Sequence, residues 1–87
     1  MSEVPWVRRR SQVLVIVPGF NEEGNIGRVI EQIHAHNLGE VLVIDDGSKD
    51  RTANAAQEAG AMVLRLPFNL GIGGAVQAGL KFAANAG

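Results

Sequence analysis

The sequence predicts a three-layer α/β fold, β-α-β-α-β-α, around a short parallel sheet. Three observations carry that expectation. Apolar, β-branched runs of four to six residues recur along the chain, and patterns with helical spacing separate them. The runs do not alternate with polar residues, so each fits a strand covered on both faces rather than one with a wet side. Short connections rich in Gly, Asn and Asp join the segments, as turns between consecutive elements require.

The elements follow in order. Residues 1–12, MSEVPWVRRRSQ, show no periodicity and read as a flexible N-terminal arm. The Arg8–Arg10 run reads as a solvated basic cluster. The first strand is Val13 to Val17, ended by Pro18. The turn 19–25 follows, in which Asn21 reads as a cap and Glu22 and Glu23 as first-turn acids. Ile26, Val29, Ile30 and Ile33 then lie at i, i+3, i+4 and i+7, one stripe of an amphipathic helix reaching about His36. Gly39 suits the left-handed closing position. Val41 to Ile44 is the second strand. Asp50 or Ser48 caps a helix over about 51–59, with Ala53, Ala56 and Ala59 inward, and Gly60 closes it. Ala61 to Leu66 is the third strand and 67–72 a loop. A third helix starts at Gly73, with Val76, Leu80 and Ala83 inward. Alternation of this kind gives parallel strands joined by right-handed crossovers, one half of a doubly wound, Rossmann-like nucleotide-binding sheet.

Size and charge narrow the function. A chain of 87 residues makes one small domain, burying only about 60–65% of its unfolded surface. Eight Lys and Arg against nine Asp and Glu give a net charge of −1, which argues against a nucleic-acid partner. The absence of cysteine excludes thiolate metal sites, disulfides and Cys nucleophiles. No apolar run approaches the roughly 20 residues of a membrane span, and no signal-peptide pattern appears, so a cytoplasmic location is expected.

Ligands of open parallel sheets bind at the carboxyl ends of the strands, and three polar clusters fall there. In the first, Pro18-Gly19-Phe20-Asn21-Glu22-Glu23, Phe20 offers a flat face to a base and Glu22 an acceptor for ribose or base donors. In the second, Asp45-Asp46-Gly47-Ser48, the carboxylates suit a metal, a ribose or a base N–H. As strand neighbours they point to opposite faces, so one serves a ligand while the other accepts from its own turn. The third, Asn69-Leu70-Gly71-Ile72-Gly73-Gly74, brings glycines before a helix, which allows close approach of a phosphate. It matches neither the dinucleotide fingerprint nor the P-loop. His34 and His36 read as solvated helix-end residues.

These motifs, in order and at this spacing, resemble the start of a family 2 glycosyltransferase of the GT-A fold. The quoted residues are Pro18-x-Phe20-Asn21-Glu22-Glu23, Asp45-Asp46-Gly47-Ser48-x-Asp50-x-Thr52, and Asn69-x-Gly71-x-Gly73-x-Ala75 with Gly79. Within that family the chain is most similar to dolichyl- or polyprenyl-phosphate sugar synthases, from about Val13 to Leu80. The resemblance implies that 13–87 is the nucleotide-binding, N-terminal half of a longer GT-A domain. Pro18, Phe20 and Glu22 would form its first nucleotide-contacting loop, Phe20 standing where Tyr is common. Asp46 would hold the base beside a structural Asp45, and Asn69, Gly71 and Gly73 would border the nucleotide. The donor implied is a UDP- or GDP-sugar, its hexose passing to an acceptor such as polyprenyl phosphate, with membrane association of the complete enzyme compatible. A Mg or Mn ion would bind an Asp-x-Asp beyond the third helix. No Asp follows Asp50, so this chain carries neither that metal site nor the catalytic base and is expected to be inactive alone.

Two other readings stand beside this one. A generic Rossmann dinucleotide binder is disfavoured by the first loop, which lacks the glycine fingerprint. The second is a non-catalytic α/β domain that self-associates through its open sheet. In strand order 3-2-1 the first strand is an apolar edge, a pairing hazard, and a homo-oligomer is expected.

Overall fold

The computed structural model describes residues 13–86; the arm expected at 1–12, with Arg8–Arg10, lies outside them. The elements are β1 (Leu14–Gly19), α1 (Ile26–Ala35), β2 (Glu40–Asp45), α2 (Thr52–Glu58), β3 (Met62–Arg65) and α3 (Gly71–Ala86). The three strands are parallel in the order β1-β2-β3. Leu14 stands opposite Glu40 and Gly19 opposite Asp45; Leu42 stands opposite Met62 and Asp45 opposite Arg65. All three carboxyl ends therefore open on the same side.

The unbroken apolar run of β2 has a direct cause. Successive strand side chains point to opposite faces, and both faces are covered. Val41 and Val43 pack with Ile26 and Ile30 of α1, Ala56 of α2 and Ala61. Leu42 and Ile44 pack with Ala75 of α3. The four strand residues are no more than 2% exposed. The molecule is thus layered, with α1 and α2 on one face and α3 on the other.

Several expected boundaries shift. Strand β1 runs through Pro18 to Gly19 instead of ending at Pro18, and Pro18 pairs with Ile44. Among the described residues β1 has a neighbour only on its β2 side, and a proline without N–H is tolerated on an edge strand. The left-handed residue after α1 is Asn37 (φ 53), not Gly39. Gly39 (φ 142) serves a close approach instead: a Cβ there would lie 2.4 Å from the Val13 carbonyl oxygen. His34 and His36 are exposed as expected, and His36 Nδ1–H donates to the Gln32 carbonyl at 2.8 Å.

The largest correction concerns α3. It begins at Gly71 rather than Gly73, so both glycines lie in its first turn. Its buried stripe is Ala75 and Gly79, whereas of the residues expected inward Val76 and Ala83 are only half-buried and Leu80 is 55% exposed. The cause is steric. A Cβ on Gly79 would sit 3.0 Å from Ile16 Cγ2 and 3.1 Å from Ile44 Cδ1, so the helix lies on the sheet by its smallest residues and turns the bulky ones outward.

Gly79→Val should therefore overpack the α3–sheet contact and cost about 1–3 kcal/mol. Gly27→Ala, in α1 with nothing within 4 Å of the added Cβ, should instead stabilise by about 0.5–1 kcal/mol. Urea unfolding of the two variants beside the wild type checks both signs.

Candidate nucleotide-binding site

Three loops leave the carboxyl ends of the strands: 20–25, 46–51 and 66–70. The middle one holds the other two. On one side the Asn21 N–H donates to Ser48 Oγ at 2.8 Å, the Glu22 N–H to Thr52 Oγ1 at 2.8 Å, and the Glu23 N–H to Asp50 Oδ2 at 3.2 Å. In return the Lys49 N–H donates to Asn21 Oδ1 at 2.9 Å and the Arg51 N–H to Glu23 Oε1 at 3.3 Å. Asn21 is accordingly no helix cap; it takes a left-handed conformation (φ 54), one that Asn adopts more readily than most residues, and bridges two loops.

Of the two capping residues expected for α2, Asp50 accepts the N–H of the first helical residue, Thr52, and Ser48 does not. The residue preceding the helix is Arg51, and the Ser48 hydroxyl faces the first loop. Asp50 Oδ1 accepts from the Thr52 N–H at 3.0 Å and from the Thr52 hydroxyl. That hydroxyl bond is the main cause holding the Asp50 carboxyl below its ordinary range; burial opposes it, and N–H groups of Glu23, Thr52 and Asp50 itself reinforce it.

Asp45 and Asp46 are both almost fully buried, 1% and 4% exposed, yet diverge as strand neighbours must. Asp45 Oδ1 accepts from the Ser48 N–H at 3.0 Å. Its Oδ2 lies 3.6 Å from Arg65 Nε, an ion pair beyond hydrogen-bond length. Asp46 uses both oxygens on the third loop, accepting from the Leu70 N–H at 2.7 Å and the Gly71 N–H at 2.9 Å.

A cleft of about 400 Å³ opens beside Asp45, lined also by Gly47, Ser48, Lys49, Arg65, Leu66 and Pro67. It sets a buried carboxylate against two cations and a short apolar wall. Of the eight residues singled out from sequence, Asp45 alone lines this cleft. Asp46, Asn69 and Gly71 are tied together, since the Gly71 N–H also approaches Asn69 Oδ1 at 3.1 Å. Pro18 is half-buried at the end of β1, while Phe20, Glu22 and Gly73 are exposed, and Glu22 Oε1 accepts from Asn25 Nδ2 at 3.4 Å. Asp46 thus accepts from backbone donors of the third loop, and Asp45 lines the cleft.

Sequence reasoning did not select Lys49, Arg65, Leu66 or Pro67. The signal for Arg65 is its register opposite Asp45, which exists only once β2 and β3 are aligned. The aspartates do not fit a divalent cation. Their side chains part, and no group of three or more His, Asp or Glu among the described residues is placed to hold one. No helix among the described residues is long and apolar enough to cross a membrane.

Comparison with known proteins agrees with this architecture. Residues 14–86 match the model of glycosyl transferase family 2. An uncharacterized protein of Methanocaldococcus jannaschii is 38% identical over 74 residues, covering 85% of this chain and 30% of that protein. Polyprenol monophosphomannose synthase of Mycolicibacterium smegmatis is 32% identical over 88 residues, covering 93% of this chain and 33% of the synthase. The crystal structure of glucosyl-3-phosphoglycerate synthase from Mycobacterium tuberculosis with Mn2+, uridine diphosphate and phosphoglyceric acid superposes with a TM-score of 0.68 at 32% identity, over 77% of this chain and 27% of that one. The chain thus spans about a third of the length of the relatives it matches.

The Asp50 bonds carry a pH dependence of known sign. A carboxyl whose value is depressed by folding stabilises above its unfolded value, near 3.9, and loses that contribution as pH falls through the folded one. The urea midpoint should fall as pH is lowered from 5 towards 3, and Asp50→Asn should flatten that decline while leaving the neutral-pH fold intact by circular dichroism.

Proposed function

The chain belongs to glycosyl transferase family 2, and from that premise we infer that its strand-end loops hold the nucleotide of a UDP- or GDP-sugar whose hexose is transferred to an acceptor such as polyprenyl phosphate. The observation that carries this reading is the Asp45 cleft. Asp45 Oδ2, with Arg65 Nε 3.6 Å away, keeps acceptor capacity for a base N–H. Lys49 and Arg65 stand on the same cleft and supply positive charge for a diphosphate. Pro18, Phe20, Glu22, Asn69, Gly71 and Gly73 share the carboxyl edge of the sheet and form the rim of the site; Phe20, 43% exposed, offers its ring to the base. The relatives' names support the donor and acceptor classes, one structure holding uridine diphosphate and one relative being a polyprenol monophosphomannose synthase.

The chemistry of these residues is binding and orientation. Asp45 fixes the base, the cations draw the diphosphate out of water, and Leu66 and Pro67 provide an apolar contact. A divalent ion, Mg or Mn, would stabilise the departing diphosphate in the complete enzyme, on ligands other than the two aspartates. A lipid-phosphate acceptor would bring a cytoplasmic catalytic domain to a membrane surface.

A second reading concerns assembly. Among the described residues, β1 has one strand neighbour and an open side, and its residues 14–18 are only half-buried. An open apolar edge favours pairing with another copy, most simply about a two-fold axis.

Calorimetric titration of the purified chain with UDP and GDP should detect binding of at least one. Asp45→Asn should weaken it about tenfold or more, since it leaves a base donor without its acceptor, a loss of roughly 1–3 kcal/mol. Unchanged affinity in the folded variant would remove Asp45 from the site. Light scattering at micromolar concentration should return a dimer or larger species; a monodisperse monomer would dismiss edge pairing.

A further inference from the structure

We propose that Thr52 is a positioning residue, whose hydroxyl sets the course of the first strand-end loop and, through that loop, the affinity of the site for nucleotide. The inference rests on the nucleotide-binding reading, in which Pro18, Phe20 and Glu22 border the ligand, and adds to it what holds that rim in place. Thr52 is fully buried and does not line the cleft, yet its hydroxyl has two partners. Oγ1 accepts from the Glu22 N–H at 2.8 Å and donates to Asp50 Oδ1. A hydroxyl has one proton to give, and giving it to Asp50 turns a lone pair towards the Glu22 N–H.

The two sides of this bond differ in rigidity. Thr52 begins α2, whose Ala56 packs with Val41 and Val43 of β2. Glu22 lies in the irregular stretch between β1 and α1. Its own carbonyl accepts from the Asn25 and Ile26 N–H groups at 2.9 Å each, so the residue that Thr52 holds also starts the turn into α1. The Asn21 and Glu23 N–H groups on either side go to Ser48 and Asp50. The Lys49 N–H returns to Asn21 Oδ1, which links the same loop to a cation on the cleft.

The methyl group of Thr52 has a separate task. A Cβ added at Gly19 would lie 3.7 Å from Thr52 Cγ2, so the methyl lies against the end of β1. Hydroxyl and methyl can therefore be removed one at a time. Thr52→Val keeps the methyl and leaves the Glu22 N–H without its acceptor. Thr52→Ser keeps the hydroxyl and leaves a gap beside Gly19. If the loop opens, the site binds only in the fraction of molecules where it is closed, and the apparent Kd rises by the inverse of that fraction.

The experiment is a titration with UDP, or with GDP where the wild type prefers it, paired with amide hydrogen exchange and urea unfolding of the free proteins. In Thr52→Val the Kd should rise about tenfold. Exchange at Asn21 and Glu23, whose own acceptors remain, should accelerate by a similar factor, and amides of β2 should keep their rates. In Thr52→Ser the urea midpoint should fall while the Kd stays at the wild-type value. Unchanged Kd in folded Thr52→Val would overturn the proposal. A Kd raised alike in both variants would tie binding to packing rather than to the hydroxyl, and would overturn it too. So would a raised Kd in Thr52→Val with unchanged exchange at Asn21 and Glu23. If Thr52→Val does not fold, Asp50→Asn decides: it sets an amide donor against the Thr52 or Glu23 donors and should raise the Kd, and wild-type affinity in it would overturn the proposal. A wild type that binds neither nucleotide would defeat the nucleotide-binding reading, and the proposal with it; wild-type binding that Thr52→Val leaves untouched defeats the proposal alone.

Discussion

Backbone N–H groups of two irregular loops must find acceptors at the carboxyl end of the sheet, and nearly all the side-chain acceptors come from residues 45–52. Ser48, Asp50 and Thr52 take the N–H groups of Asn21, Glu22 and Glu23. Asp46 takes those of Leu70 and Gly71. A loop lacking such partners would carry unsatisfied donors, each costing roughly 1–3 kcal/mol where buried. The octapeptide is therefore a hub, and the position of everything around the cleft depends on it. Its own placement is secure because it continues β2, the strand buried on both faces.

Much of the fold was legible in sequence because the signals were redundant. The buried run Val41 to Ile44, the stripe Ile26, Ile30 and Ile33, and the alanines of α2 each matched one structural period. What failed was decided by packing between elements. Nothing local says that α3 rests on Ala75 and Gly79 rather than on Val76 and Leu80; the closeness of Ile16 and Ile44 decides it. The early start of α3 has the same character, since Leu70 and Gly71 are held by an aspartate about 25 residues away.

The site was legible as a place more than as a set of roles. The three clusters do meet at one edge of the sheet. Alternation along the strand correctly separated Asp45 from Asp46, but could not say which of them lines the cleft. That choice follows from the pairing of Asp45 with Arg65 across strands and from the reach of the third loop, neither of which any single segment encodes. Family resemblance located the motif and assigned the base to Asp46; the structure turns Asp46 to the third loop and sets Asp45 on the cleft.

The acceptor side chains of the hub grip main chain. Ser48, Asp50, Thr52 and Asp46 recognise N–H groups that every residue except proline possesses. The exposed ring of Phe20 therefore contributes little to the course of the loop that carries it. Substitution there can change the surface the loop presents while the loop keeps its path. A scaffold of this kind separates the side chains that must accept backbone N–H groups from those whose identity the loop path leaves open.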